Sequence, residues 1–152
     1  MKVIAHRGNI GGKDPKIENH PDQILLCFEK GYDCEIDVWY IDGRLFLGHD
    51  MPQYEIKLEF IIDNVNKLWC HCKHLESLQY LIGFNNINCF YHNTDDYILT
   101  SHNYIWTYPG KPMPYKNGVC VMPEWNKDIK YDKDGIVGIC TDYPDQVRDF
   151  LK

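Results

Sequence analysis

The chain has 152 residues, of which 44% are hydrophobic and 25% charged, and its net charge is −6 with histidine neutral. That length suits one domain with its own core, and the composition excludes disorder, collagen-like repeats and a long coiled coil. An acidic balance without a concentrated basic face argues against a nucleic-acid surface, and charges interrupt every apolar stretch too often for a membrane-spanning helix.

In chain order, Val3-Ile4-Ala5-His6 reads as a short strand ending in polar residues. The N-terminus lacks the apolar segment and cleavage pattern of a secretory signal. Gly8 to Asn19, with paired glycines and Pro15, reads as a long loop. A helix follows from Asp22 to Lys30, with Pro21 in its first turn, Gly31 as its stop, and Ile24, Leu25, Cys27 and Phe28 on one face. Cys34 to Ile41 and Arg44 to His49 are two strands joined by Asp42-Gly43, a strong hairpin signal.

A short helix is expected around Leu58–Ile62, a strand at Leu68–Lys73, and a helix at His74–Ile82 that offers Leu75, Leu78, Tyr80 and Leu81 to a core. Further strands are expected at Asn88–His92, Tyr104–Thr107, Val119–Met122 and Ile136–Cys140, and a last helix from Pro144 towards Leu151. Repeated strand–helix–strand units imply an α/β fold with a largely parallel sheet. The tract from Asn93 to Gly135 is poor in helix, with Pro109, Pro112, Pro114 and Pro123 breaking it. A full eight-stranded barrel needs about 250 residues, so any barrel here is trimmed.

Seven cysteines occur, an odd number, mostly inside apolar strand-like runs where a thiol packs as a small hydrophobe. This favours a reduced, cytoplasmic protein over a disulfide scaffold.

The strand period of two puts Glu35 and Asp37 on one face, with Cys34, Ile36 and Val38 on the other. Two neighbouring carboxylates repel. Either a divalent cation relieves them or both face water at a sheet margin. His6-Arg7 ends the first strand before a glycine-rich loop; a guanidinium fork matches phosphate oxygens, and an imidazole exchanges protons near neutral pH. His49 follows Gly48, and His71 shares a face with Lys73. Singly, each is explained as a surface residue; their recurrence at strand ends points to a common site. The stretch Trp69-Cys70-His71-Cys72-Lys73-His74 is a weak zinc motif, because alternation separates its cysteines from His71. His92 ends another strand and either approaches the cleft or serves its loop, and Asp142 either orients a histidine or starts the last helix. Tyr97, Tyr104, Trp106, Tyr108 and Tyr115 either line a shallow cleft or cover the sheet.

His6-Arg7-Gly8, Glu18-Asn19, the run Gly31 to Val38, Asp42-Gly43 and Gly48-His49-Asp50, taken together in order, resemble the glycerophosphodiester phosphodiesterase family of phospholipase-C-like enzymes. Lys73, Trp106-Thr107 and Thr141-Asp142-Tyr143-Pro144 extend the resemblance to the end of the chain. It implies a contracted TIM-type (β/α) barrel with a reduced set of outer helices, formed by one domain over 1–152. It implies a metal-dependent phosphodiesterase acting on a small glycerophosphodiester or related alcohol phosphodiester. His6 and His49 would be the acid–base pair, Glu35 and Asp37 metal ligands, Arg7 and Lys73 phosphate contacts, Trp106 a pocket wall, and Glu18 a support for the metal shell or first loop.

One departure stands out: His71 occupies the place of the family's third acidic ligand. The resemblance implies Mg²⁺ or Ca²⁺, whereas an imidazole ligand draws preference towards Mn²⁺ or another transition ion. Two other functions fit the same scaffold, a catalytically silent phosphate- or headgroup-binding protein and a phosphodiesterase or lyase working at a membrane surface. The trimmed barrel also leaves edges that a homodimer would cover.

Overall fold

The computed structural model describes residues 1–126 and 135–151. Part of the expected helix-poor tract, positions 127–134, lies outside the described residues. The strands are β1 (Lys2–His6), β2 (Asp33–Ile41), β3 (Arg44–Leu47), β4 (Tyr54–Ile56), β5 (Leu68–Cys72), β6 (Cys89–Tyr91), β7 (Tyr97–Leu99), β8 (Ile105–Thr107), β9 (Gly118–Val121) and β10 (Ile136–Thr141). The helices are α1 (Pro21–Glu29), α2 (Leu58–Ile62), α3 (Leu75–Leu81) and α4 (Pro144–Leu151), with a 3₁₀ turn at Pro123–Trp125. Among the described residues no helix is long and apolar enough to cross a membrane.

All ten strands belong to one mixed sheet. Its parallel run is β6-β5-β2-β1-β10-β9-β8, extended by antiparallel β7, while the β3–β4 hairpin pairs with the far end of β2. The sheet curls into an incomplete barrel. Phe90 on β6 and Trp106 on β8 meet across the opening with ring centroids 4.7 Å apart.

Alternation sorts the side chains into two cores. Ile24, Cys27, Cys34, Ile36, Val38, Cys70, Cys72 and Leu81 pack between the sheet and α1–α3. Ile4, Trp69, Phe90, Trp106, Val119, Val121 and Cys140 fill the inside of the curl. At the N-terminal end of the strands Lys2 Nζ lies 2.6 Å from Asp33 Oδ2, which also accepts from Trp69 Nε1 at 3.0 Å. That polar plug leaves the opposite end free for a site.

The Asp42-Gly43 hairpin forms as expected, with both residues at positive φ (49° and 77°), the geometry of a two-residue turn that matches strand twist. β3 ends at Leu47, two residues earlier than expected, because Gly48 turns the chain away. Two three-residue strands, β4 and β7, are additional to those read from the sequence. They are too short for a period of two to register and exist only by pairing with β3 and β8. Two helix faces also differ from expectation. Leu25 is 42% and Leu75 57% exposed, because α1 turns Ile24 and Cys27 inward and α3 turns Ser77 and Leu81 inward. All seven cysteines are buried, and burial pushes the thiols of Cys34, Cys70 and Cys140 well above the ordinary range.

Candidate active site

The C-terminal ends of β1, β2 and β5 meet over the inner core, and parallel register determines which side chains meet. His6 lies beside Glu35, Glu35 beside Trp69, and Asp37 beside His71. The ligand atoms of Glu35, Asp37 and His71 all fall within 4.8 Å of one another. Glu35 is 2% and Asp37 0% exposed, so the two acids do not face water at a sheet margin.

Two buried carboxylates this close need positive neighbours. Asp37 Oδ1 sits 3.0 Å from His71 Nδ1 and 3.2 Å from Lys73 Nζ. Its Oδ2 accepts from Asn19 Nδ2 at 2.9 Å and lies 3.2 Å from Arg7 Nε. Burial alone would raise the Asp37 pKa, but His71, Lys73 and Arg7 together hold it far below the carboxylate range. His71 shows the reciprocal effect: burial opposes its charged form, and the bonds with Asp37 and Glu35 outweigh it, so its pKa is raised. Arg7 follows the same pattern against Asp37, Glu35 and Glu18. The donor set suits a divalent cation. Two carboxylates and one imidazole converge from adjacent strands, and these oxygen and nitrogen donors are the kind such a cation takes.

The loop after β1 is built to hold Arg7 here. Arg7 and Gly8 both have positive φ (53° and 83°), which turns the chain sharply and aims the guanidinium into the cavity. Gly8 O accepts from Gln23 Nε2 at 2.9 Å and Cys27 Sγ at 3.3 Å, tying the turn to α1. The Arg7 backbone N–H donates to Glu35 Oε2 at 3.2 Å, and its Nη1 reaches Glu18 Oε2 at 3.4 Å. Glu18 is buried and also accepts from Asn9 Nδ2 at 3.0 Å, so it braces the first loop. Asn19, at φ 61°, grips Asp37 twice, because its Oδ1 also accepts the Asp37 backbone N–H at 2.8 Å.

His6 and His49 are both paired through Nδ1. His6 lies 2.8 Å from Asp142 Oδ1, which also accepts from Asn9 Nδ2 at 2.8 Å. His6 and Asn9 hold the Asp142 pKa down against burial, which would raise it. Glu124 Oε1 in turn accepts from Thr141 Oγ1 and from the Asp142 backbone N–H, at 2.8 and 3.0 Å. His49 Nδ1 lies 2.7 Å from the exposed Asp50.

A cavity of about 320 Å³ opens between these groups. His6, Arg7, Glu35, His49, His71 and Lys73 line its polar side, and Trp106, Tyr108, Val121, Met122 and Trp125 its apolar side. Trp106 is only 5% exposed, so most of its indole belongs to the inner core. Of the tract's other aromatics, Tyr108 reaches the cavity, Tyr104 packs on Trp69, and Tyr115 is 96% exposed. Cys70 and Cys72 point to the opposite core, and among the described residues the Glu35, Asp37 and His71 trio is the one cluster with metal-ligand spacing.

Superposition places the architecture among known proteins. The solved structure of a glycerophosphodiester phosphodiesterase from Parabacteroides distasonis aligns at a TM-score of 0.56 and 16% identity, over 99% of this chain and 96% of that one. The two share a fold. A protein provisionally assigned the same activity, from Galdieria sulphuraria, aligns over 99% and 97% of the two chains at 13% identity and a TM-score of 0.49. No protein-family model matches the sequence, and no curated protein matches it at a significant level.

His92, which the sequence leaves open between cleft and loop, lines the cavity, whereas Asn9, Glu124 and Trp125 were not singled out by pattern as site residues. Asn9 follows the His6-Arg7-Gly8 triplet directly, so its position was a usable signal. Glu124 and Trp125 carried none, since their place depends on the turn after β9.

Proposed function

We propose that the protein is a metal-dependent phosphodiesterase that cleaves a small glycerophosphodiester or related alcohol phosphodiester by histidine acid–base chemistry. The observation that carries this reading is one cavity lined by two carboxylate-tethered histidines, two cations, and Glu35 and His71, which converge with the buried Asp37 beneath them.

Glu35, Asp37 and His71 hold the cation in this reading. A divalent ion bound there would neutralise charge building on the phosphoryl oxygens. The two carboxylates suit Mg²⁺ or Ca²⁺, and the imidazole adds affinity for Mn²⁺ or another transition ion. Arg7 lines the cavity with a guanidinium whose Nε is buried against Asp37, so its terminal nitrogens are the donors offered to a phosphate. Lys73 adds a compact charge beside it, and Trp106 closes the floor under the substrate.

His6 and His49 divide the proton transfers. With Nδ1 of each engaged by an aspartate, Nε2 is the nitrogen left to exchange a proton. One imidazole takes the proton of the attacking hydroxyl or water, and the other returns one to the departing alkoxide. Asp142 fixes the His6 tautomer, while Glu18 and Asn9 brace Arg7 and Asp142. Buried thiols such as those of Cys27, Cys34 and Cys70 fit a reducing compartment, so the reading extends to a cytoplasmic protein acting on a small solute, with a homodimer as its candidate assembly.

The test is phosphorus NMR on metal-stripped protein with soluble glycerophosphodiesters, adding Mg²⁺, Ca²⁺, Mn²⁺, Co²⁺ and Zn²⁺ separately. Cation-dependent formation of a monoester or cyclic phosphate, lost in His6→Ala and in Glu35→Ala, is the expected result. Saturable binding without product across the panel would convert the reading to a silent phosphate-binding protein. Turnover confined to micelles or vesicles would convert it to a membrane-surface enzyme.

A further inference from the structure

His92 follows β6 directly and shares the inward face with Phe90. Its ring stacks on His71 with centroids 4.5 Å apart and planes 11° from parallel, and it lines the cavity beside Lys73 and Asn93. Nδ1 is buried and has no hydrogen-bond partner, whereas Nε2 is not among the buried unpartnered atoms. A proton on Nδ1 would be a buried donor without an acceptor, which native structures rarely tolerate; an unused lone pair there costs less. The proton therefore belongs on Nε2, on a ring that lines the cavity. An N–H facing a cavity that also holds Arg7 and Lys73 calls for a ligand rich in acceptor oxygens.

We propose that His92 is a substrate-binding residue, donating a hydrogen bond from Nε2 to a phosphoryl oxygen of the bound phosphodiester and forming an anion cradle with Arg7 and Lys73. This rests on the phosphodiester reading of the cavity. The stack on His71 holds the imidazole plane upright, so the donor is positioned before the ligand arrives and little side-chain freedom is lost on binding.

Two substitutions separate the donor from the ring. His92→Phe keeps a flat ring for the His71 stack and removes the donor; His92→Gln shortens the stack and keeps an N–H. Calorimetric titration with inorganic phosphate measures the cradle without chemistry, and steady-state kinetics on a glycerophosphodiester measure it during turnover. Loss of one hydrogen bond to an anion predicts about tenfold weaker phosphate binding and about tenfold higher KM for His92→Phe, with kcat within about twofold. His92→Gln should recover most of that loss. Unchanged phosphate affinity and KM in His92→Phe would overturn the proposal while leaving the hydrolase reading intact, as would a His92→Gln variant no better than His92→Phe. If wild-type protein turns over no diester yet binds phosphate in a His92-dependent way, the hydrolase reading fails and the cradle stands. A wild type that binds neither overturns both.

Discussion

Replacing Asp37 by asparagine tests the charge balance on which the whole site depends. The carboxylate is fully buried and meets His71 at 3.0 Å, Lys73 at 3.2 Å, Arg7 at 3.2 Å and Asn19 at 2.9 Å. Asparagine keeps the volume but removes the charge, and its amide N–H₂ must face a side that now carries donors. Each ion pair at 3.2 Å is worth about 5 kcal/mol at an effective dielectric of 20, before desolvation is subtracted. Removing one partner from a buried charge cluster leaves the others uncompensated, at a net cost of about 3–5 kcal/mol. Urea unfolding followed by tryptophan fluorescence at pH 7, with and without Mn²⁺, should show that loss. Wild-type protein should gain stability as cation is added, and Asp37→Asn should not. Glu35→Gln is the matched control. Glu35 has fewer partners, so it should lose the cation response with a smaller loss of intrinsic stability. An Asp37→Asn protein that unfolds within about 0.5 kcal/mol of wild type, or that is more stable, would refute the reasoning. Repulsion between the two acids would then outweigh their pairing with the cations.

Asp142→Asn should lower kcat by about 10²–10⁴ with KM little changed, since Asp142 fixes the His6 tautomer rather than touching substrate; an equal loss in kcat and gain in KM would contradict that role. Gly48→Ala would bring a Cβ to 2.1 Å from the Met51 carbonyl oxygen, beside the Gly48 oxygen that accepts from Trp39 Nε1. Backbone must move, so thermal melts should show a loss of about 3 kcal/mol or more, with activity falling further because His49 is displaced; a melt equal to wild type would show the turn to be plastic. Burial and the bond to Asp145 raise the Tyr32 pKa to about 12. The folded state therefore holds the phenol proton more tightly than the unfolded chain, and stability falls as pH rises from about 10 to 12. Tyr32→Phe should flatten that alkaline limb of the chemical-denaturation profile, and an unaltered limb would assign it to other groups.

Much of this site can be read from the sequence because its geometry is local. A period of two puts Glu35 and Asp37 on one face whatever lies beside the strand, and Asp42-Gly43 encodes a turn whose twist suits a hairpin. The helix from Pro21 to Glu29 likewise follows from its apolar spacing and the Gly31 stop. Alternation also separates His71 from its cysteine neighbours, which disfavours zinc before any pairing is known. Tertiary structure decided what spacing cannot reach. Only the parallel register of β2 with β5 sets Asp37 beside His71, and only β1 lying between β2 and β10 carries His6 to Asp142, 136 positions away. Whether Leu25 or Ile24 faces inward depends on how α1 sits on the sheet, a choice that two adjacent apolar residues leave open. The strands β4 and β7 exist because neighbours offer them hydrogen bonds, not because their own three residues prefer extension. Local backbone preference thus specifies elements and the faces of strands. The curl of the sheet, which brings ends distant in sequence over one core, is a sum of long-range pairings that no segment carries alone.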